Sequence, residues 1–216
     1  MRVIIAAALS LFTMAGLALA QEWVPYTSKP DFFALNFPGQ PRVQEITYPT
    51  EYNLKLPAHV YSVTTGMSRY SLTVVDYSNA EKLHAERTKS CQAELGDVDA
   101  CNPLFQSRTE MRGAIVFATW GFLQRDAKLT HFTYAYADLV EGHQLQLTNK
   151  DNSRTFASIY MHENRLYILE GTVPQGSPPP GLFQQSLQFL DKDGNKIRYQ
   201  SIYSNGFPAP PRTIYR

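Results

Sequence analysis

The sequence predicts a single α+β domain built on a twisted antiparallel sheet covered by helices, and three observations predict it. Apolar and β-branched residues alternate with polar ones over two long stretches, Phe33 to Tyr77 and Lys128 to Val173. The stretch between them, Ala80 to Leu123, is rich in Ala, Glu, Lys, Arg and Leu, which favour helix. The chain that follows the N-terminal leader is long enough for one core of ordinary size.

The leader occupies residues 1–20. Arg2 supplies a positive start, Val3 to Leu17 an apolar run, and Ala18-Leu19-Ala20 a small-x-small signal before the polar pair Gln21-Glu22. This predicts secretory export with cleavage between Ala20 and Gln21, and hence a periplasmic or secreted protein with no membrane span after cleavage. The run is nearly long enough to cross a bilayer, so an uncleaved anchor is the alternative. The cleavage signal and the weak basic flank favour export.

Without residues 1–20 the chain has 196 residues, 19 of them basic and 19 acidic. A nucleic-acid partner needs a concentrated surplus of Lys and Arg, whereas Lys55, Arg69, Lys89 and Arg125 are scattered singly. No nucleic acid is therefore expected. Cys91 and Cys101 are separated by nine residues, and in an oxidising compartment an even count favours a disulfide. Closing so short a loop stabilises by roughly 2 to 3 kcal/mol. A redox pair would instead call for C-x-x-C at a helix N-terminus.

The elements follow in order. Phe33, Leu35 and Phe37 form a strand that ends at Pro38-Gly39. Val43 to Tyr48 returns as a second strand, and Glu51 to Pro57 reads as a loop. His59 to Thr64 and Arg69 to Tyr77 flank Thr65-Gly66-Met67 as a hairpin. Ala80 to Leu95 is a helix ending near Gly96. Ser107-Arg108-Thr109-Glu110 has the form of a capping box, in which hydroxyl and carboxylate satisfy opposite orphan N–H groups, and so starts a second helix. The run Ala114 to Leu123 fits that helix or a buried strand.

From Lys128 a meander of four strands follows, with turns near Glu141-Gly142, at Asn149 to Ser153 and at Glu163-Asn164. Pro174 to Pro180 reads as a stiff connector or a polyproline ligand. Gly181 to Leu190 has helical spacing, Ile197 to Tyr203 a closing strand, and residues 207–216 the composition of a loose Pro-rich tail. Residues 21–206 thus form the domain.

Chemistry-bearing motifs are few. Asp191-Lys192-Asp193-Gly194-Asn195 resembles the opening of a calcium loop, but Lys196 stands where the turn glycine belongs and Ile202 where a bidentate Glu belongs. A β-turn accounts for Asp-Gly equally well. His59, His84, His131, His143 and His162 show no local metal spacing, and no nucleophile elbow, phosphate loop or dinucleotide fingerprint occurs. No catalytic residue, metal ligand or cofactor is assigned. A turn at Glu141-Gly142 would also set His131 opposite the region of Asn152, far from His143.

One face draws attention. A two-residue turn at Glu163-Asn164 pairs His162 with Arg165, Tyr160 with Tyr167 and Ser158 with Leu169 on one side of the sheet. Tyr160, Tyr167, His162 and Arg165 could bind a peptide or sugar there. The alternative is that they pack beneath another element.

The segments Phe32-Phe33-Ala34-Leu35-Asn36-Phe37-Pro38, Arg165-Leu166-Tyr167-Ile168-Leu169 and Phe183-Gln184-Gln185-Ser186-Leu187-Gln188-Phe189-Leu190 resemble those of PsbP-type α/β sandwiches. That family includes extrinsic proteins of photosystem II, a regulator that binds a small GTPase, and bacterial envelope proteins. The resemblance implies a binding or assembly module without a shared active site, and it transfers no functional residue. The inserted helix pair is a departure from the family. Together these readings predict an exported, non-catalytic binding or accessory protein of a bacterial envelope, with an envelope protein or peptide as its partner. An enzyme with a dispersed site and a small-ligand carrier are the competing classes.

Overall fold

The computed structural model describes residues 22–95 and 103–215. The cleavage site at Ala20 and Gln21 lies outside them, as does Cys101 and with it the expected bridge to Cys91. The elements are β1 (Val24–Ser28), β2 (Phe33–Phe37), β3 (Arg42–Pro49), β4 (Lys55–Thr65), β5 (Ser68–Asp76), α1 (Ala80–Leu95) and α2 (Pro103–Leu123). They continue with β6 (Ala127–Ala137), β7 (Val140–Asn149), β8 (Arg154–His162), β9 (Arg165–Val173), α3 (Gly181–Gln185), β10 (Gln188–Phe189), β11 (Lys196–Tyr199) and β12 (Arg212–Tyr215).

Two antiparallel meanders, β3-β4-β5 and β6-β7-β8-β9, join through β5 and β9 into a seven-stranded sheet of order β3-β4-β5-β9-β8-β7-β6. The helix pair connects them and packs on one face. There Ala114, Ile115, Ala118 and Phe122 of α2 meet Leu145, Leu147, Ala157, Ile159 and Met161. The opposite face is covered mainly by a small sheet of order β1-β2-β10, with the one-turn helix α3 beside it. Phe33, Phe37, Phe183 and Phe189 seat there against Tyr61, Tyr70 and Tyr167. The chain is thus one sheet-rich α+β domain in which the long helix pair covers one face, and the small sheet with the short α3 covers the other.

The Glu163-Asn164 turn adopts positive φ at both residues (42° and 63°) and sets the register expected from sequence. Several boundaries differ from expectation, each for a physical reason. The first meander gains residues because β4 starts at Lys55, burying Leu56 and Ala58. Pro57 is tolerated there because β5 pairs with β4 only from Ala58 onward. The helix α2 begins at Pro103, a residue suited to a first turn, and continues through the apolar run at 114–123.

The turn between β6 and β7 is Asp138-Leu139, both at positive φ, and Glu141 and Gly142 belong to β7. Gly142 serves packing instead of turning: a Cβ there would overlap the Ile159 carbonyl oxygen and the Tyr160 ring. His131 consequently faces Gln146. The expected helix at 181–190 stops at Gln185, because Gln188 and Phe189 pair with the free edge of β2. The closing strand is short, and the tail is not wholly loose, since Arg212–Tyr215 pairs with Lys196–Tyr199.

Candidate functional site

Three of the four residues singled out in the β8-β9 hairpin lie in the interior, so together they form no open binding face. Tyr160, His162 and Tyr167 are buried beneath the small sheet, and Arg165 is largely covered, its guanidinium 4.2 Å from the ring of Phe32. The Tyr167 hydroxyl donates to the Asp31 carbonyl at 2.9 Å. His162 stacks on Phe189 with ring centroids 4.4 Å apart and meets the Tyr199 hydroxyl through Nε2 at 2.7 Å. Burial, with Arg212 and Arg165 nearby, pushes the His162 imidazole down to about 3. Tyr160 alone reaches a cavity, on the flank of the hairpin towards β7.

Other polar groups close on one another inside the fold. Glu110, read as half of a capping box, is instead buried and accepts from the Thr50 hydroxyl. Its second oxygen lies 2.6 Å from His84 Nε2, which ties α1 and α2 to the loop before β4. Sequence offered no signal for this pairing, because the three residues are brought together only by the tertiary fold. Asp31 likewise gathers His59 Nδ1 at 2.8 Å and the Tyr61 hydroxyl. An Asp–His pair of this kind orients a general base in many hydrolases, but Ser28 Oγ pairs with the Tyr61 hydroxyl, at 2.9 Å, in place of His59. The nucleophile–base bond of a triad is therefore not formed. In the Asp-Gly turn, Asp191 Oδ1 accepts from the amides of Asp193 and Asn195 at 2.9 and 2.8 Å. This Asx geometry satisfies the carboxylate within its own loop. Among the described residues no group of three or more His, Cys, Asp or Glu side chains is placed to hold a metal.

A shallow cleft of about 540 Å³ on β3 and β4 is lined by Glu45, Lys55 and His59, but exposed aromatic side chains gather at the β6 end of the sheet. β6 is an edge strand of eleven residues, and ten of them are exposed or only half-buried. Phe132, Tyr134 and Tyr136 project from it on the helix side, and all three are about half exposed or more. On α2 the residues Val116, Trp120 and Leu123, at helical spacing i, i+4 and i+7, form an exposed apolar stripe. His143 of β7 links the two elements. Its Nδ1 lies 2.8 Å from the Thr119 hydroxyl of α2, and its ring meets Phe132 and Tyr134 edge-on at 5.2 and 5.5 Å. Burial pushes the His143 imidazole below its ordinary value. Val116, Tyr134 and His143 also line a cleft of about 260 Å³, bounded by Phe207 and Arg112. Sequence marked the alternation of Phe132, Tyr134 and Tyr136 as a strand. Alternation does not reveal that the strand lies at an edge.

Among the described residues no helix is long and apolar enough to cross a membrane. No protein-family model matches the chain, and no curated protein matches it either. Among solved structures it is similar to the solution structure of cyanobacterial PsbP (CyanoP) from Synechocystis sp. PCC 6803. That likeness has 11% sequence identity and a TM-score of 0.43, and covers 83% of this chain and 98% of that one.

Proposed function

We propose that this is an exported, non-catalytic accessory protein of a bacterial envelope that holds a polypeptide partner along β6 and the outer stripe of α2. One observation carries the reading: an unpaired edge strand bears three exposed aromatic side chains beside an exposed apolar helix stripe. Edge strands expose a row of unpaired N–H and C=O groups that another chain can complete. Alternate side chains of such a strand give the added segment its specificity. Large apolar side chains gathered at one place on a surface mark interaction sites more often than chance. The partner segment is therefore an extended peptide with apolar residues at every second position. Export rests on the leader, and the envelope is the compartment to which that leader directs.

The test is purification of the protein from its native cells, with mass spectrometry of what remains bound, beside the double variant Phe132→Lys, Tyr134→Lys. The expected result is one stoichiometric polypeptide retained by the wild type and lost from the variant, with amide exchange slowed at β6 in the complex. Equal retention by both forms, or specific turnover of an envelope substrate by the purified protein, overturns the reading.

A further inference from the structure

The second open feature of the β6 end lies on the other face of the sheet and is polar. Rows of side chains crossing this face change character along their length. One row runs Thr133, Gln144, Ser158, Leu169 and Leu72 across β6, β7, β8, β9 and β5. Beneath the small sheet its members are Leu169 and Leu72, both fully buried. Beyond that cover they become hydroxyls and an amide. The neighbouring row runs Ala135, Gly142 and Tyr160. The Ile159 carbonyl and the Tyr160 ring fill the space beside Gly142, and a hollow opens beside Ala135, whose methyl reaches only a short way into it. Its wall is the α3–β10 segment, which contributes Gln184, Gln185 and Gln188. The resulting cavity is about 340 Å³, at the small end of the range for ligand sites.

The lining decides what the cavity can hold. Gln184 and Ser158 are more than nine-tenths buried, and Gln184 Nε2 donates to Ser158 Oγ at 3.0 Å. Gln144 and Gln188 are half-buried and open to the same space. Side-chain amides and hydroxyls each supply both donors and acceptors, and grouping them in a partly desolvated hollow is costly unless something answers them. Among the described residues no Lys or Arg lines the cavity, which disfavours a phosphate or carboxylate ligand. The one carboxylate in the lining, among the described residues, is Asp138, whose pKa burial pushes up. The polar lining disfavours a lipid. A ligand that donates and accepts through many neutral hydroxyls meets all three constraints.

We propose that this cavity binds a neutral saccharide of one or two rings, with Gln144, Gln184, Gln188 and Ser158 exchanging hydrogen bonds with its hydroxyls. The cavity adjoins the aromatic face of β6, since Tyr134 and Tyr136 also reach its lining, but Phe132 does not, and the sugar contacts named here do not depend on the partner assigned to that face.

The experiment is calorimetric titration and ligand-observed NMR of the full mature protein. The probes are glucose, N-acetylglucosamine, cellobiose and chitobiose, with glucuronate and glucose 6-phosphate as anionic counterparts. At least one neutral sugar is expected to bind saturably while its anionic counterpart binds at least tenfold more weakly. Gln144→Leu and Gln188→Leu should each weaken binding tenfold or more. Ala135→Leu, which fills the hollow from a half-buried position without removing a polar group, should abolish it. Near-UV circular dichroism and the urea midpoint establish that each variant is folded. Asp138→Asn should leave the affinity within about threefold, since the ligand carries no charge for it to read. Absence of binding by every neutral sugar at millimolar concentration, preference for the anionic sugars, or binding unchanged in folded Ala135→Leu overturns the proposal. Because Tyr134 reaches both regions, the two readings are separated with Phe132→Lys alone, which should release the polypeptide and leave sugar affinity unchanged, while Ala135→Leu should do the reverse.

Discussion

The two ends of the seven-stranded sheet are both exposed, yet they manage exposure in opposite ways. The β3 edge carries Arg42, Gln44, Glu45 and Thr47 and ends at Pro49, charges and a proline that discourage another strand from pairing. The groups behind it are tied down, with Glu110 closed on Thr50 and His84, and Asp31 closed on His59 and Tyr61. At the β6 end the strand offers Phe132, Tyr134 and Tyr136 on one side and an amide-lined hollow on the other. One end spends its polar groups on holding the fold together, and the other leaves its groups available. On the proposed reading, the difference assigns recognition to the β6 end and stability to the β3 end.

The largest effect expected from that division is at Glu110. Both Glu110 and His84 are 1% exposed, so truncation strands a buried imidazole and a buried hydroxyl. Removing one partner of such a pair costs about 3 to 5 kcal/mol. Glu110→Ala should lower the stability obtained from urea unfolding by that amount, and Glu110→Gln, which keeps the shape and an acceptor, by clearly less. A loss below about 0.5 kcal/mol in Glu110→Ala, the scatter of ordinary surface changes, would break the contrast between the ends.

Sealed and open histidines give the next effect. His162 is held neutral in the fold at about 3 by burial and by Arg212 and Arg165, below the ordinary imidazole value of 6.5. Its folded pKa is depressed, so between about 6.5 and 3 the unfolded chain binds the extra proton. The contribution of His162 is complete above 6.5 and is lost as pH falls through that window. The slope is about 1.4 kcal/mol per pH unit at most. Unfolding curves from pH 7 to pH 4 should show the wild type losing stability faster than His162→Gln by a slope of that order. Parallel curves would show that His162 is not the group responsible.

Much of the fold was legible in the sequence, and the reason is local. Glu163-Asn164 suits positive φ at both turn positions, so the β8-β9 register followed from two residues. Period-two alternation likewise marked β2, the β4-β5 hairpin and the second meander. What was not legible depends on distant partners. Gly142 looked like a turn glycine and is a packing glycine, because the Ile159 carbonyl and the Tyr160 ring of β8 occupy the place of a side chain. Glu110 looked like a cap and serves a histidine 26 residues earlier. Tyr160, Tyr167, His162 and Arg165 were correctly placed on one side of the hairpin, but no pattern in those strands announces that β1, β2 and β10 will cover that side. The candidate surface on β6 was hidden for the converse reason, since its aromatics look like core until the strand is seen to have one neighbour.

The smallest effects are the most discriminating, because they compare the two edges directly. Phe132 and Tyr134 are 49% and 67% exposed, so replacing both by Lys removes little buried area and should change folding stability by less than about 1 kcal/mol. Partner retention should nevertheless be lost. The matching change on the opposite edge is Val43→Lys, at an apolar residue that is 50% exposed. It should leave both stability, within about 0.5 kcal/mol, and retention unchanged, because β3 is already guarded by charge and proline and has no aromatic row to lose. If Val43→Lys releases the partner as completely as the β6 double variant, the partner spans both edges or binds neither through its strand. The assignment of recognition to the β6 end then fails even though the fold stands.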